Sequence, residues 1–164
     1  MQLSPKVERV LNDQINHELT AFYAYMAMAA WFEQTPYKGF STWMQAQSKE
    51  ELTHADKIFH YISERNGSIK LKEIPLDDYS FKTPLSVFEA ALILEESTTA
   101  AIHDVYELSL KEKDFETQNF LNWFLKEQIE EESSVRDMID KLKLSNGSPS
   151  ALMHLDSVAG KRPL

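Results

Sequence analysis

The sequence predicts an all-α protein: a four-helix bundle with one long crossover between its second and third helices and a short fifth helix near the C-terminus. Three observations carry that expectation. Four long stretches place apolar residues at alternating steps of four and three, the seam that faces a bundle core. Hydroxyl–proline pairs at Ser4-Pro5, Thr35-Pro36, Thr83-Pro84 and Ser148-Pro149 put a capping oxygen before a proline, which the first helical position tolerates. Only four glycines occur among 164 residues, which argues against a turn-rich β fold.

In chain order, helix A is expected over 5–34, B over 36–65, C over 84–111, D over 115–144 behind a capping Asp114, and E over 149–159. Asn66-Gly67 and Asn146-Gly147 supply the stop signals for B and D. The A–B and C–D connections are a few residues each, so both pairs should be antiparallel hairpins. Residues 66–83, with Gly67, Pro75 and the acidic pair Asp77-Asp78, separate B from C. Helix B should be about 45 Å long, and eighteen extended residues reach up to roughly 60 Å. That segment can therefore run the length of the bundle, as a bundle with one long crossover requires. The chain reads as one domain over 1–164 with a sizeable core.

Composition bounds the function. Apolar residues make up 43% and charged residues 26%, as in a globular protein, and the net charge is −9. Cations are plausible partners at that charge and nucleic acid is not. The absence of cysteine excludes disulfides, thiolate metal sites and a thiol nucleophile, and suits a reducing cytoplasm. MQLSPKVERV is neither a signal nor a transit peptide. The longest apolar run, Ala21 to Phe32, is too short to cross a bilayer, so no membrane is expected.

The seams carry the chemistry. Helix A gives Leu11, Ile15, Glu18, Phe22, Tyr25, Ala29 and Phe32; helix B gives Phe40, Met44, Gln47, Glu51, His54, Ile58 and Tyr61. Helix C gives Phe88, Leu92, Glu95, Thr99, Ile102 and Tyr106; helix D gives Leu121, Phe124, Gln128, Glu131, Val135, Met138 and Leu142. Each apolar stripe is broken by a glutamate. Taking one ionised carboxylate out of water costs several kcal/mol, and further like charges nearby compound the cost. His54 is the sole candidate cation on the seams, so the core lacks counter-charge that metal ions would supply. Carboxylates with one imidazole and no sulfur suit iron or manganese, with zinc able to compete. Four glutamates and a histidine are too many for one ion and right for a pair. Tyr25, two turns beyond Glu18, can hydrogen-bond a ligand or donate an electron.

These residues resemble the ferritin-like di-iron carboxylate bundles, in which two helices each contribute a Glu and two others contribute Glu-x-x-His. Helices A and C offer Glu18 and Glu95, and helix B offers Glu51-Leu52-Thr53-His54. Helix D departs with Gln128-Ile129-Glu130-Glu131, which is the pattern of the non-haem bacterial-type ferritins. NHEL, EELTH, Leu94-Glu95 and FLNWFLKEQIEEE carry the resemblance together, and it extends along the whole chain. Bacterioferritins usually carry a haem-ligand methionine where Leu52 stands, and a glutamate and a histidine in place of Gln128 and Glu131. Rubrerythrins add a cysteine-rich domain, and mini-ferritins build their site between subunits.

The resemblance implies a first iron position at Glu18, Glu51 and His54, and a second at Glu51, Glu95 and Glu131, with Glu51 bridging and Gln128 adjacent. It also implies a third at Glu50, Glu127, Glu130 and Glu131. It implies a ferroxidase that oxidises ferrous iron with dioxygen or hydrogen peroxide and stores ferric mineral, without haem. The container would be a homo-oligomeric cage of roughly two dozen subunits. His17, His60 and His103 fall off the seams and are expected at the surface; His154, on helix E, is expected to pack, with a place facing a four-fold pore as the alternative. Two rivals stand beside this reading: a di-metal oxidase or oxygenase acting on an organic substrate, and a purely structural bundle.

Overall fold

The computed structural model describes residues 2–75 and 79–162, so the predicted acidic pair Asp77-Asp78 lies outside the described residues. Five helices follow one another: α1 Pro5–Glu33, α2 Lys38–Glu64, α3 Pro84–Glu112, α4 Phe115–Ser145 and α5 Pro149–Ala159. No strand occurs among the described residues. No helix among them is long and apolar enough to cross a membrane.

The capping signals act as expected at three starts. The Ser4 hydroxyl accepts from the Val7 N–H at 3.3 Å, Thr83 and Ser86 form a reciprocal capping box, and Asp114 accepts from the Thr117 N–H at 3.0 Å. Two starts differ from expectation. Ser148 precedes α5 without a side-chain cap. Helix α2 begins at Lys38 rather than Pro36, because Thr35 shapes a turn instead: its hydroxyl donates to the Phe32 carbonyl and accepts from the Tyr37 N–H. The cap of α2 comes from far away in sequence. Asp156 of α5 accepts from the Phe40 N–H at 2.8 Å. Gly39 permits that approach, since a Cβ there would lie 1.8 Å from the Asp156 carbonyl oxygen. Asn66 (φ 54°) and Asn146 (φ 47°) turn left-handed to end α2 and α4. Lys113 (φ 57°) does the same after α3, where no residue type signals it.

Cross-links fix the topology. Ser41 reaches the Ala29 carbonyl and Ser48 the Phe22 carbonyl, so α1 and α2 are antiparallel. Gln128 with Thr99 and Gln118 with the Ser109 carbonyl make α3 and α4 antiparallel. Lys6 with Glu112 and His17 with Thr98 set α3 antiparallel to α1. Helices α2 and α3 therefore run parallel, which is why a long crossover joins them. Part of that crossover is strapped to α1 by two side chains. Asn12 donates to the Ser68 carbonyl and accepts from the Lys70 N–H, and Asn16 repeats the pattern with Lys70 and Lys72. The two asparagines satisfy backbone groups that a sheet partner would otherwise take.

The predicted seams of α1, α2 and α4 are buried apart from Phe22, which is half-buried. The α3 seam is rotated by one position. Ala91, Thr98, Val105 and Ser109 are buried with Phe88, Glu95 and Ile102, whereas Leu92, Thr99 and Tyr106 are half-buried. Small side chains take the tight inward positions, and the larger Leu92 and Tyr106 cover the edges of the core. His17 also differs from expectation: it is half-buried and bonded to Thr98 at 3.1 Å, and burial lowers its pKa. His60 and His103 are exposed as expected, whereas His154 is exposed rather than packed.

Candidate metal centre

The core is not continuous. On each long helix the seam passes from one apolar cluster to another at its glutamate: Ile15 and Tyr25 flank Glu18, and Met44 and Ile58 flank the Glu51–His54 pair. Ala91 and Ile102 flank Glu95, and Phe124 and Val135 flank Glu131. Glu18, Glu51, His54, Glu95, Gln128 and Glu131 thus meet in one polar layer at the waist of the bundle, none more than 5% exposed. Gln47 and Tyr25 are fully buried beside them.

The two halves of this layer differ. On the α1–α2 side, Gln14 donates to Glu18 Oε1 at 2.8 Å and His54 Nδ1 lies 3.2 Å from Glu51 Oε2. Glu18 Oε2 and Glu51 Oε1 are buried without a hydrogen-bond partner. Ligand atoms of Glu18, Glu51 and His54 all lie within 4.8 Å of one another. Edge contacts from Trp123 and Phe124 hold the imidazole, and Lys57 Nζ lies over the Trp123 ring, 4.2 Å from its centre. On the α3–α4 side, neutral donors occupy the carboxylates. The Tyr25 hydroxyl donates to Glu95 Oε1, Gln128 Nε2 reaches Glu95 Oε2 at 3.3 Å, and Gln47 donates to Glu131. Among the described residues Glu95 joins no close ligand group, while Glu131 forms one with His54 and Glu127.

At the rim, the residues assigned to a third position are spread out. Glu127 is half-buried and near His54. Glu130 is 67% exposed beside Lys126, and Glu50 is paired with Arg162. Glu132 accepts from Thr99 and pairs with Arg136.

The electrostatics follow from that geometry. Burial, and then the Glu51 charge, push the Glu18 carboxyl well above the usual range; burial, then Glu95 and Glu131, do the same to Glu51. Burial raises Glu95 as well, and Glu131 is pushed up to about 7 by burial, then by Glu95 and Glu50. Burial and the Glu95 charge raise Tyr25, which keeps its hydroxyl a donor. Oxygen donors with one imidazole and no sulfur, two of them buried and unpartnered, fit iron or manganese ions. Sequence reasoning had no role for Gln14, although it stands one helical turn before Glu18. It placed Gln47 on the seam without foreseeing its bond to Glu131, because that partner is set by the packing of α2 on α4.

Residues 8–145 match the ferritin-like domain family. The bacterial non-heme ferritin of Staphylococcus haemolyticus (strain JCSC1435) is 43% identical over 140 residues, which cover 85% of this chain and 84% of that protein. The bacterial non-heme ferritin of Staphylococcus aureus (strain USA300) is 36% identical over 160 residues, covering 98% and 96%. Among solved structures, the open pore ferritin of the hyperthermophilic archaeon Archaeoglobus fulgidus superposes with a TM-score of 0.96 at 41% identity, covering 98% of each chain. A closed form of that ferritin, engineered by site-directed mutagenesis, gives 0.97 at 40% identity over 99% of each chain.

Proposed function

The chain belongs to the ferritin family, and on that premise we propose that its buried carboxylate layer is the di-iron centre at which it works. The protein stores iron and oxidises ferrous iron. Glu18 and His54 hold one ferrous ion, Glu95 and Glu131 hold the other, and Glu51 bridges them, with Gln128 adjacent. The observation that carries this reading is the charge imbalance of the waist: four buried carboxylates, two of them with unpartnered oxygens. Two ferrous ions bring four positive charges to four carboxylates. Each ion gives up one electron; dioxygen takes both together with two protons and becomes hydrogen peroxide, or hydrogen peroxide takes both with two protons and becomes water. Tyr25, bonded to Glu95, positions that carboxylate.

Ferric products leave and hydrolyse into mineral, which needs a container. The protein assembles into a homo-oligomeric cage of roughly two dozen subunits, works in the cytoplasm and needs no haem. Glu50, Glu127 and Glu130 offer a third iron position at the rim. Anaerobic ferrous titration followed by admission of air tests the function. About two ions per subunit should bind tightly, scaled to the two-ion site, and should oxidise far faster than in buffer, in a particle of several hundred kilodaltons. The absence of both tight binding and accelerated oxidation would overturn the reading.

A further inference from the structure

One rim carboxylate is already taken. Glu50, next to Glu51 on α2, pairs with Arg162 at 2.5 Å. The guanidinium also lies over the Trp43 ring, 4.8 Å from its centre. The arginine is held in place from behind. The chain turns after α5, where the Gly160 N–H donates to Asp156 and the Arg162 N–H to Ala159. Asp156 caps α2 through Phe40, and a Cβ on Gly160 would lie 3.0 Å from Gly39. The end of α5 is thereby seated on the start of α2, about three turns before Glu50. Glu50 is close enough for its charge to act on both Glu51 and Glu131, so it belongs electrostatically to the buried cluster. The pair is partly exposed, 23% for Arg162 and 44% for Glu50, which makes it weak enough to exchange.

We propose that Arg162 is a positioning residue for iron transfer, holding Glu50 away from cations at the mouth of the carboxylate layer so that a metal ion must displace the arginine to use it. The inference rests on the reading of the layer as a metal centre. A guanidinium competes with a cation for the same carboxylate oxygens, so Arg162 weakens binding at the rim and leaves the buried pair untouched. Trp43 gives the released guanidinium an apolar surface to rest on, which keeps it ready to return.

The test uses the assembled cage and cobalt(II), which binds oxygen and nitrogen ligands without being oxidised under anaerobic conditions. In calorimetric titrations at fixed salt, Arg162→Ala should tighten the weaker, rim class of sites about fivefold, the worth of a partly exposed ion pair, and leave the tight class unchanged. Arg162→Lys, which keeps the charge, should fall between Arg162→Ala and wild type. In the Glu50→Gln background, Arg162→Ala should change nothing. With ferrous iron, the first oxidation phase of Arg162→Ala should match wild type, and the later turnovers should change. Identical rim isotherms for wild type and Arg162→Ala would overturn the proposal. So would a tightening that persists in the Glu50→Gln background, since it would reflect overall charge alone. If wild type itself shows no tight class, the metal centre fails; if only the rim response is missing, the metal centre stands and the role of Arg162 does not.

Discussion

The apolar ends of the bundle and its carboxylate waist are built from the same four seams but obey opposite economies. In the ends, residues such as Phe32, Phe40, Phe88 and Ile102 are fully buried and gain free energy from leaving water. At the waist, Glu18, Glu51, Glu95 and Glu131 are as deeply buried and pay for it, as their raised pKa values record. The ends hold the protein together, and the waist is tolerated because the ends do so. Function is thus concentrated in the region that stabilises the fold least.

The sharpest way to separate the two regions is to alter one residue in each. Glu51→Ala or His54→Ala should slow rapid iron oxidation on the order of a hundredfold or more, since loss of a mere outer partner of a metal ligand costs 10–100-fold. Stopped-flow oxidation reads this, and sizing should find the cage intact. Oxidation at the wild-type rate would remove those residues from the centre. In the apolar end, Phe88→Ala should cost about 3–5 kcal/mol of stability and leave the oxidation rate per folded subunit unchanged. Denaturant unfolding and the same kinetics check it; a rate loss as large as that of His54→Ala would mean the two regions are not separable.

A third prediction concerns pH. Native carboxyls with raised pKa values keep protons that the unfolded chain releases near pH 4.3. Between about pH 4.3 and 7 the native state binds more protons, so stability falls as pH rises. For Glu131, pushed up to about 7, the loss comes to about 3.5 kcal/mol once ionisation is complete. Glu18, Glu51 and Glu95 add losses of the same sign. Metal-free protein should therefore unfold more easily at pH 8 than at pH 5 in chelator, and Phe88→Ala should follow a parallel curve displaced downward. A curve that rises with pH would contradict the electrostatic account of the waist.

The contrast also explains what the sequence made legible. Glu18, Glu51, His54, Glu95 and Glu131 stand out because each interrupts an apolar period that is visible locally along one helix. The one-position rotation of α3 was hidden because Leu92 and Tyr106 fit the period as well as Ala91 and Val105 do, and only packing against the neighbouring helices chooses between them. The remaining features are contacts between residues far apart in the chain: Asp156 capping α2, Asn12 and Asn16 strapping the crossover, Gln47 bonding Glu131, and Arg162 holding Glu50. No periodicity announces a partner more than fifty residues away. The start of α2 at Lys38 belongs with these, since its cap is supplied by α5 and Thr35-Pro36 became a turn.

The central claim is that metal supplies the counter-charge of the waist, and one comparison of thermal unfolding tests it most directly. Glu131→Leu alone would strip Gln47 of its partner, so the variant to use is Gln47→Leu with Glu131→Leu, which removes the charge and the amide together. Replacing a buried ionic group by packed apolar side chains is often neutral or stabilising by about 1–4 kcal/mol. Both proteins are melted in chelator and again with anaerobic ferrous iron. The account predicts that the double variant melts at or above wild type in chelator, and that ferrous iron raises wild type strongly and the variant little, so that the order reverses. A double variant that melts well below wild type in chelator would show that Glu131 stabilises the fold itself, and would contradict the account.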